Sequence, residues 1–577
     1  MFVIEVIPLA SNAPLGTLSY RTANKVTPGT LVEVPLRKKT VLGIVVRIEN
    51  VRDVRSTLRT AAYTLRRGNP KKVGTVPRAL MQAAEEIARY HATTLGAVLG
   101  ILLPKIVPKE GFGALKSGSG FEEYFVEMPR DERIAAYRDR AQATKGTLLI
   151  IAPTIVEVEN LTKQCVSEHV VVALPSALFT PIEHLSGIVI ERESAGGYVG
   201  MKRPYIDYRT AARALARARE VPLILGDYPL RIECRPNSAV PLVHADSGSA
   251  EILDVRTKKT EQKVAFTPVP ERITADIKKV LDANGRALVI AVRRGYAPSV
   301  VCRDCGAAVK DERGRTLALV GTAGGKPVLR SPDGQTLQDA KALCDICASW
   351  NLMPLGVGIE RVALELKKIF PSASVIRFDS ESVKTPAQAR RAMQAAAESG
   401  SILVATEAVL PWLASTTFDY AAIASADSLL ALPFWRARER LVHLGLTLRQ
   451  HAPRLVIATR RPDDPAFSTI TNPKDAVFFE DETMLRKALS YPPFSMLIML
   501  TYEGTKERVT AMGTRIGELL SSSKLVTLPP RLETKGRYRG TTIIKLPSDT
   551  WTDSALSEPL ASLPPSVRVR INPESLL

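Results

Sequence analysis

The sequence predicts a multidomain α/β protein. It has a β-rich N-terminal domain, two α/β lobes, a cysteine-bearing insert in the second lobe, and an α+β C-terminal domain. Three observations predict this. Apolar runs such as TLLIIAP, LSGIVIE, VPLILG, GSILVAT and RLVIATRR alternate with helical stretches, as strands buried in parallel sheets do. Residues 1–78 instead alternate apolar and polar positions in short runs (FVIEVIPL, TLVEVPL, VLGIVVRI) parted by turn signals such as Pro28-Gly29. Two C-x-x-C pairs, Cys302/Cys305 and Cys344/Cys347, interrupt the second α/β stretch.

A chain of 577 residues is long enough for several cores. A hydrophobic content of 45% and a charged content of 24% are those of a globular protein in water. The start, MFVIEVIPLA, has no basic region of a signal peptide, and no apolar run reaches about 18 residues, so neither secretion nor a membrane span is expected. Four of the six cysteines sit in C-x-x-C pairs, which suits a reducing cytoplasm, with Cys165 and Cys234 as buried bystanders. The formal charge is +19. Residues 1–108 carry 16 Lys/Arg against 6 Asp/Glu, and 37–72 carry eleven against two, with Arg37, Lys38 and Lys39 contiguous. Such a block points to an anionic partner, nucleic acid foremost, although RNA or a ribosome would give the same signal.

Taken in order, the β-rich segment and the helical run RALMQAAEEIARYHATTLGAVL make up an N-terminal domain over 1–108. Residues 109–146, including GFGALKSGSGFEEYF, read as a linker. They hold glycines but no Gly-Lys-Ser/Thr, and Lys116 precedes the Gly-Ser-Gly run; Gly111 to Gly120 is one example of where an unusual phosphate loop would lie. The first α/β lobe follows at 147–245 and the second at 246–480, with the insert at 300–350; the C-terminal domain is 481–577. The pairs are separated by 38 residues, and GRTLALVGTAGGKPVLRSPDGQTL between them reads as short strands around Gly-Gly and Asp-Gly turns. Folding back would bring Cys302, Cys305, Cys344 and Cys347 into one tetrahedral zinc site. In GRYRGTTIIKLP, Lys535, Arg537 and Arg539 alternate and share one face of a strand, suited to a phosphate backbone or to a charged edge.

RRGYAP before the first cysteine pair, LMPLGVGIERV after the second, SALFTPIEHLSGIVIERES, YPPF, and the closing GRYR and VRVRINPESLL segments resemble, in order, the primosomal protein N' family. That family comprises replication-restart DNA helicases. The resemblance implies two RecA-like helicase lobes and an N-terminal domain that holds a DNA 3' end, with Tyr20 and Gly29 at kept positions and Ser19 where the family has an aspartate. It implies a zinc insert, reduced here to one zinc. It also implies that the catalytic motifs are degraded. The Walker B position reads Glu191-Arg192-Glu193-Ser194, GDYPLR replaces the coupling segment, and LTLRQHAPRL with Arg449 replaces the arginine-finger motif. The implied protein binds forked or branched DNA as a monomer in the bacterial cytoplasm, near the nucleoid, with primosome proteins and the replicative helicase as partners. It has no catalytic residues and no use for ATP and Mg²⁺. An active 3'–5' helicase with altered motifs, and an RNA- or ribosome-binding zinc protein, are the alternatives.

Overall fold

The computed structural model describes residues 1–9, 17–23, 25–36, 39–51, 66–67, 71–103, 120–235, 242, 248–256, 267–291, 299–302, 309–310, 317–320, 328–330, 337–339, 343–344, 346–355, 358–430, 434–520, 525–534, 537–548, 551 and 556–576. The N-terminal unit is a six-stranded sheet. Its strands are β1 (Phe2–Pro8), β2 (Leu18–Thr22), β3 (Thr30–Leu36), β4 (Lys39–Asn50), β5 (Arg66–Arg67) and β6 (Lys71–Thr75), ordered β5-β2-β1-β4-β3-β6. One face holds Ile4, Val6, Val32, Val34 and Val45. The other packs on α1 (Arg78–Tyr90) and α2 (Leu95–Leu102). Gly43 lets β4 lie close to β1, because a Cβ there would sit 2.4 Å from Val6.

The first lobe begins earlier than its apolar runs suggest. Residues 123–143, expected in a linker, form β7 (Glu123–Glu127) and α3 (Arg130–Ala143). With β8 (Thr147–Ile151), β9 (Val170–Ala173), β10 (Leu185–Glu191) and β11 (Leu223–Asp227), β7 makes a parallel sheet ordered β7-β11-β10-β8-β9. Helices α4 (Ile155–Gln164) and α5 (Tyr208–Arg219) flank it. Thr154 caps α4 by accepting from the Glu157 N–H at 3.4 Å. Strands β8, β10 and β11 are buried on both sides, which is why they read as unbroken apolar runs.

The second lobe is another parallel sheet. It contains β12 (Ser249–Asp254), β13 (Ala287–Ile290), β19 (Ser374–Phe378), β20 (Ser401–Ala405), β21 (Tyr420–Ile423) and β22 (Arg454–Thr459), ordered β12-β22-β21-β13-β20-β19. Helices α6 (Glu271–Asp282), α7 (Ile359–Ile369), α8 (Pro386–Ala396) and α9 (Ala437–His451) cover its faces. The insert between β13 and α7 pairs β14 (Ser299–Cys302) with β18 (Leu352–Leu355), and folds β15 (Ala318–Val320), β16 (Val328–Arg330) and β17 (Leu337–Asp339) into an antiparallel sheet. After α10 (Val477–Ala488), the C-terminal unit packs α11 (Lys506–Leu519) on a sheet ordered β24-β25-β23-β26, with β23 (Ser495–Gly504), β24 (Leu525–Thr534), β25 (Arg537–Pro547) and β26 (Val567–Ile571). No described helix is long and apolar enough to cross a membrane.

Candidate functional site

In a parallel α/β sheet, ligands bind beyond the carboxyl ends of the strands, and a phosphate loop joins a strand to the N-terminus of the next helix. Here that place is the β7–α3 connection. It consists of Met128 and Pro129 alone, where a phosphate loop needs about eight residues. Pro129 offers no N–H. Asp131 and Glu132 occupy the first turn of α3 and oppose an anion at that helix end.

The space beyond the strand ends is taken by side chains. The Arg133 guanidinium donates to Glu191 at 2.6 and 2.9 Å, and to the Met128 carbonyl at 2.6 Å. Tyr137, one turn along α3, donates to the same carboxylate at 2.9 Å. Arg133 and Glu191 side chains are 4% and 5% exposed. Burial alone would lower the Arg133 pKa; the adjacent Glu191 carboxylate outweighs it and raises it. Burial, then Glu191, pushes the Tyr137 phenol well above its usual value. Gly226 makes room for this, since a Cβ there would lie 1.8 Å from the Tyr137 hydroxyl. Arg192, in the left-handed region at φ 52°, turns away to Glu157 at 2.6 and 3.1 Å. Glu193 is fully buried and accepts from the Arg231 N–H and guanidinium at 2.7 and 2.5 Å. The Ser194 N–H donates to Asp227, and the Leu230 N–H to Glu127, each at 2.8 Å. The strand-end carboxylates of β7, β10 and β11 are thus satisfied within the chain. Arg133 and Tyr137 escaped the sequence reading, though their i, i+4 spacing on one helix face was the available signal.

Gly111 to Lys116 and on to Ser119 lie outside the described residues. Arg449 donates to the carbonyls of Gly248, Ile470 and Thr471 at 2.5, 2.6 and 3.2 Å, so it braces the second lobe's own backbone. The lobes are joined by a buried network. The Ile232 N–H donates to Glu439 at 2.8 Å, Arg436 reaches Glu233 and Glu439, and Arg486 reaches Glu439 and Glu482 at 3.0 Å. Also between the lobes, Arg390 of α8 meets Glu159 of α4 at 2.7 Å.

The sulfurs of Cys302, Cys344 and Cys347 all lie within 4.8 Å of one another, with Cys302 and Cys347 at 3.5 Å. Tetrahedral bonds of about 2.3 Å put sulfurs about 3.8 Å apart, so this donor set fits zinc. The knuckle turns on the left-handed backbone of Ala348, whose N–H donates to the Cys344 carbonyl at 2.8 Å. Cys305 lies outside the described residues. Beside the knuckle, Leu343, Ile346 and Trp350 are exposed.

The expected nucleic-acid contacts divide. Tyr20 is 2% exposed, in the core of the first sheet, and donates to the Pro35 carbonyl at 2.9 Å, so it is a core aromatic and not a stacking platform. Gly29 serves the turn before β3: its φ is 88°, and a Cβ would crowd the Val76 carbonyl at 3.0 Å. Arg37, Lys38 and Lys535 lie outside the described residues, as does the side chain of Lys39. Arg537 and Arg539 share Glu503 at 2.8 and 3.3 Å and are 62% and 35% exposed. The end of α1 is fastened to its neighbours. His91 accepts from the Asp207 N–H at 3.3 Å and lies 3.2 Å from the Thr210 hydroxyl, while the Trp551 indole donates to the Tyr90 carbonyl at 2.9 Å. Burial lowers the His91 pKa to about 4.

The 3'DNA-binding domain (3'BD) family matches residues 6–104 of this chain. Curated proteins named Replication restart protein PriA are similar over much of it. That of Synechocystis sp. is 25% identical over 66% of this chain and 50% of its own length. That of Bacillus subtilis is 25% identical over 68% and 51%, and that of Thermotoga maritima 24% identical over 70% and 56%. The chain spans about half the length of these relatives. Among solved structures, an NS3-like helicase from Alongshan virus is 10% identical, covers 64% of this chain and 80% of its own, and superposes with a TM-score of 0.31.

Proposed function

We propose that this chain, similar to replication restart proteins of the PriA type, binds forked or branched DNA as a non-hydrolytic scaffold. The observation that carries the reading is the Arg133–Glu191–Tyr137 cluster behind a two-residue β7–α3 connection. No backbone cradle for phosphates exists there, and the carboxylate at the end of β10 is committed to an internal cation instead of a magnesium ion. The 3'DNA-binding match over 6–104 and the charge of that region support DNA as the partner. With Tyr20 in the core, contact falls to the basic segment around 37–72 and to the C-terminal arginines.

Cys302, Cys344 and Cys347, with Cys305, would hold one zinc. The metal would supply a cross-link that fixes the insert's two ends. The exposed Leu343, Ile346 and Trp350 beside it form the surface offered to primosome proteins or the replicative helicase. The scaffold acts as a monomer in the bacterial cytoplasm.

Two binding measurements on the same zinc-loaded sample test this. A fork with a free leading-strand 3' end should bind tightly, and a fluorescent ATP analogue with Mg²⁺ should not bind at millimolar concentration. Saturable analogue binding, displaced by ATP, would refute the proposal.

A further inference from the structure

We infer that residues 570–575 are a strap that holds the two lobes and the C-terminal sheet in one fixed arrangement, so that the lobes of this chain do not open and close against each other. This goes beyond the DNA-binding reading and does not depend on it. The strap starts at the end of β26, where Ile571 still pairs with Ile498. Asn572 then takes a left-handed backbone, φ 45°, which asparagine adopts more readily than most residues. Leu497 of β23 fastens it there twice. The Asn572 N–H donates to the Leu497 carbonyl at 2.7 Å, and the Leu497 N–H donates to the Asn572 Oδ1 at 2.8 Å. The turn carries the chain off the sheet and onto the second lobe. There the Pro573 carbonyl accepts from the Trp435 indole N–H at 2.8 Å, and Ser575 forms a bridge with Phe434. At its other end the strap meets the first lobe, where the Arg570 guanidinium lies 4.7 Å from the ring centre of Tyr205. Just ahead of β26, Arg203 of the same lobe donates to the Pro565 carbonyl at 2.7 Å.

The grip on the second lobe falls where the lobes meet. The Trp435 ring stacks on Tyr491 with centroids 5.8 Å apart, and the Arg436 and Arg486 guanidinium groups lie 4.1 and 4.9 Å from its centre. Indole is the best ring for that cation contact. The same two arginines hold Glu233 of the first lobe, Arg436 at 2.8 Å and Arg486 at 3.6 Å. The strap thus fixes Trp435, Trp435 positions the two arginines, and the arginines hold the other lobe. Parting the lobes would strip Glu233 from both guanidinium groups and the Ile232 N–H from Glu439, at a place where the Arg486 and Glu439 side chains are 1% and 3% exposed. Charges buried that deeply do not lose their partners at modest cost. Domain closure around a ligand needs a hinge or a sliding boundary that repacks cheaply. This boundary is buried, charged and pinned from a third unit.

Amide hydrogen exchange on the full zinc-loaded chain, without DNA, tests this. In the parent protein, residues 228–235 of the first lobe and 434–440 of the second should both exchange slowly. Among the described residues Asn572 hydrogen-bonds to neither segment. Asn572→Ala should nevertheless speed exchange in both, roughly fivefold for the loss of one hydrogen bond. Adding Trp435→Phe, which removes the indole donor and keeps an aromatic ring, should bring the increase to roughly twentyfold or more. Amides of β8 and β13, inside the two lobes, should keep the parent's rate. If the double variant also loses protection there it has unfolded, and Trp435→Phe alone then decides, with roughly a fivefold increase expected in 228–235. Faster exchange confined to 495–499 and 570–575, with 228–235 unchanged, overturns the inference, as does rapid exchange of 228–235 in the parent. With no DNA present, either outcome leaves the scaffold reading to its own binding test.

Discussion

Replacing Glu191 by alanine would leave the Arg133 guanidinium buried without its counter-ion. Both side chains are at most 5% exposed, and two hydrogen bonds of 2.6 and 2.9 Å join them. Removing one partner of such a pair costs about 3–5 kcal/mol, because desolvation of the remaining charge is no longer offset. Replacing both by apolar residues of similar volume, Arg133→Met with Glu191→Leu, should be close to neutral or stabilising. Tyr137 tempers this in the double variant, since its hydroxyl, 2.9 Å from Glu191, loses its acceptor at about 1–3 kcal/mol. The triple variant with Tyr137→Phe removes that term. In so large a chain a global unfolding curve is not a two-state quantity. Hydrogen exchange of β10 and β11 amides reports the local opening free energy instead. Glu191→Ala should speed that exchange by roughly 10²–10⁴-fold, at about 1.4 kcal/mol per decade, and the triple variant should return close to the parent. A cost below about 1 kcal/mol for Glu191→Ala would refute the reasoning. Arg133 would then find water or another partner, and the cleft would be open.

Other outcomes follow from the same geometry. His91 has a folded pKa of about 4 against about 6.5 unfolded. The unfolded chain therefore binds the proton first, and stability is complete above pH 6.5 and falls as pH drops toward 4, by about 3 kcal/mol at most. Denaturation midpoints across that window should lose part of their pH dependence in His91→Asn; the remainder includes His451, also lowered to about 4 by burial, and the Glu127 and Glu482 carboxyls, which burial raises. Cys302→Ser should abolish stoichiometric zinc by atomic absorption and expose the insert to protease, while leaving exchange in β10 and β11 unchanged. Arg486→Ala, at a side chain 1% exposed between Glu439 and Glu482, should cost about 3–5 kcal/mol and raise exchange in α9 and α10 together. Arg390→Ala, at a half-exposed pair between the lobes, should cost no more than about 1 kcal/mol, read as a change of less than about tenfold in the exchange of α4 and α8 amides.

The lobes were legible because strands buried on both faces of parallel sheets leave unbroken apolar runs, and the clustering of Cys302, Cys344 and Cys347 because C-x-x-C spacing is local. What was missed depended on contacts distant in sequence. EYFVE mixes acids with half-exposed aromatics because β7 is an edge strand, so residues 123–143 read as a linker and a phosphate loop was sought at Gly111 to Gly120, ahead of β7. Arg133 shows its meaning only beside Glu191, 58 residues on. Tyr20 has the same period-2 signature as an exposed strand residue, and only the burial of its side faces distinguishes core from platform. Arg568 gains its partner only when β26 pairs with β23 and sets it beside Glu503.

The central claim is a DNA-binding protein whose two α/β lobes do not turn over ATP. It is tested most directly by ATP hydrolysis in the presence of a saturating fork bearing a leading-strand 3' end, with fork occupancy recorded in the same samples. The account predicts full occupancy and no hydrolysis above a protein-free blank. Fork-stimulated hydrolysis, abolished by Glu191→Gln, would contradict it: Glu191 would then be a magnesium ligand, and its pairing with Arg133 a resting state that nucleotide displaces.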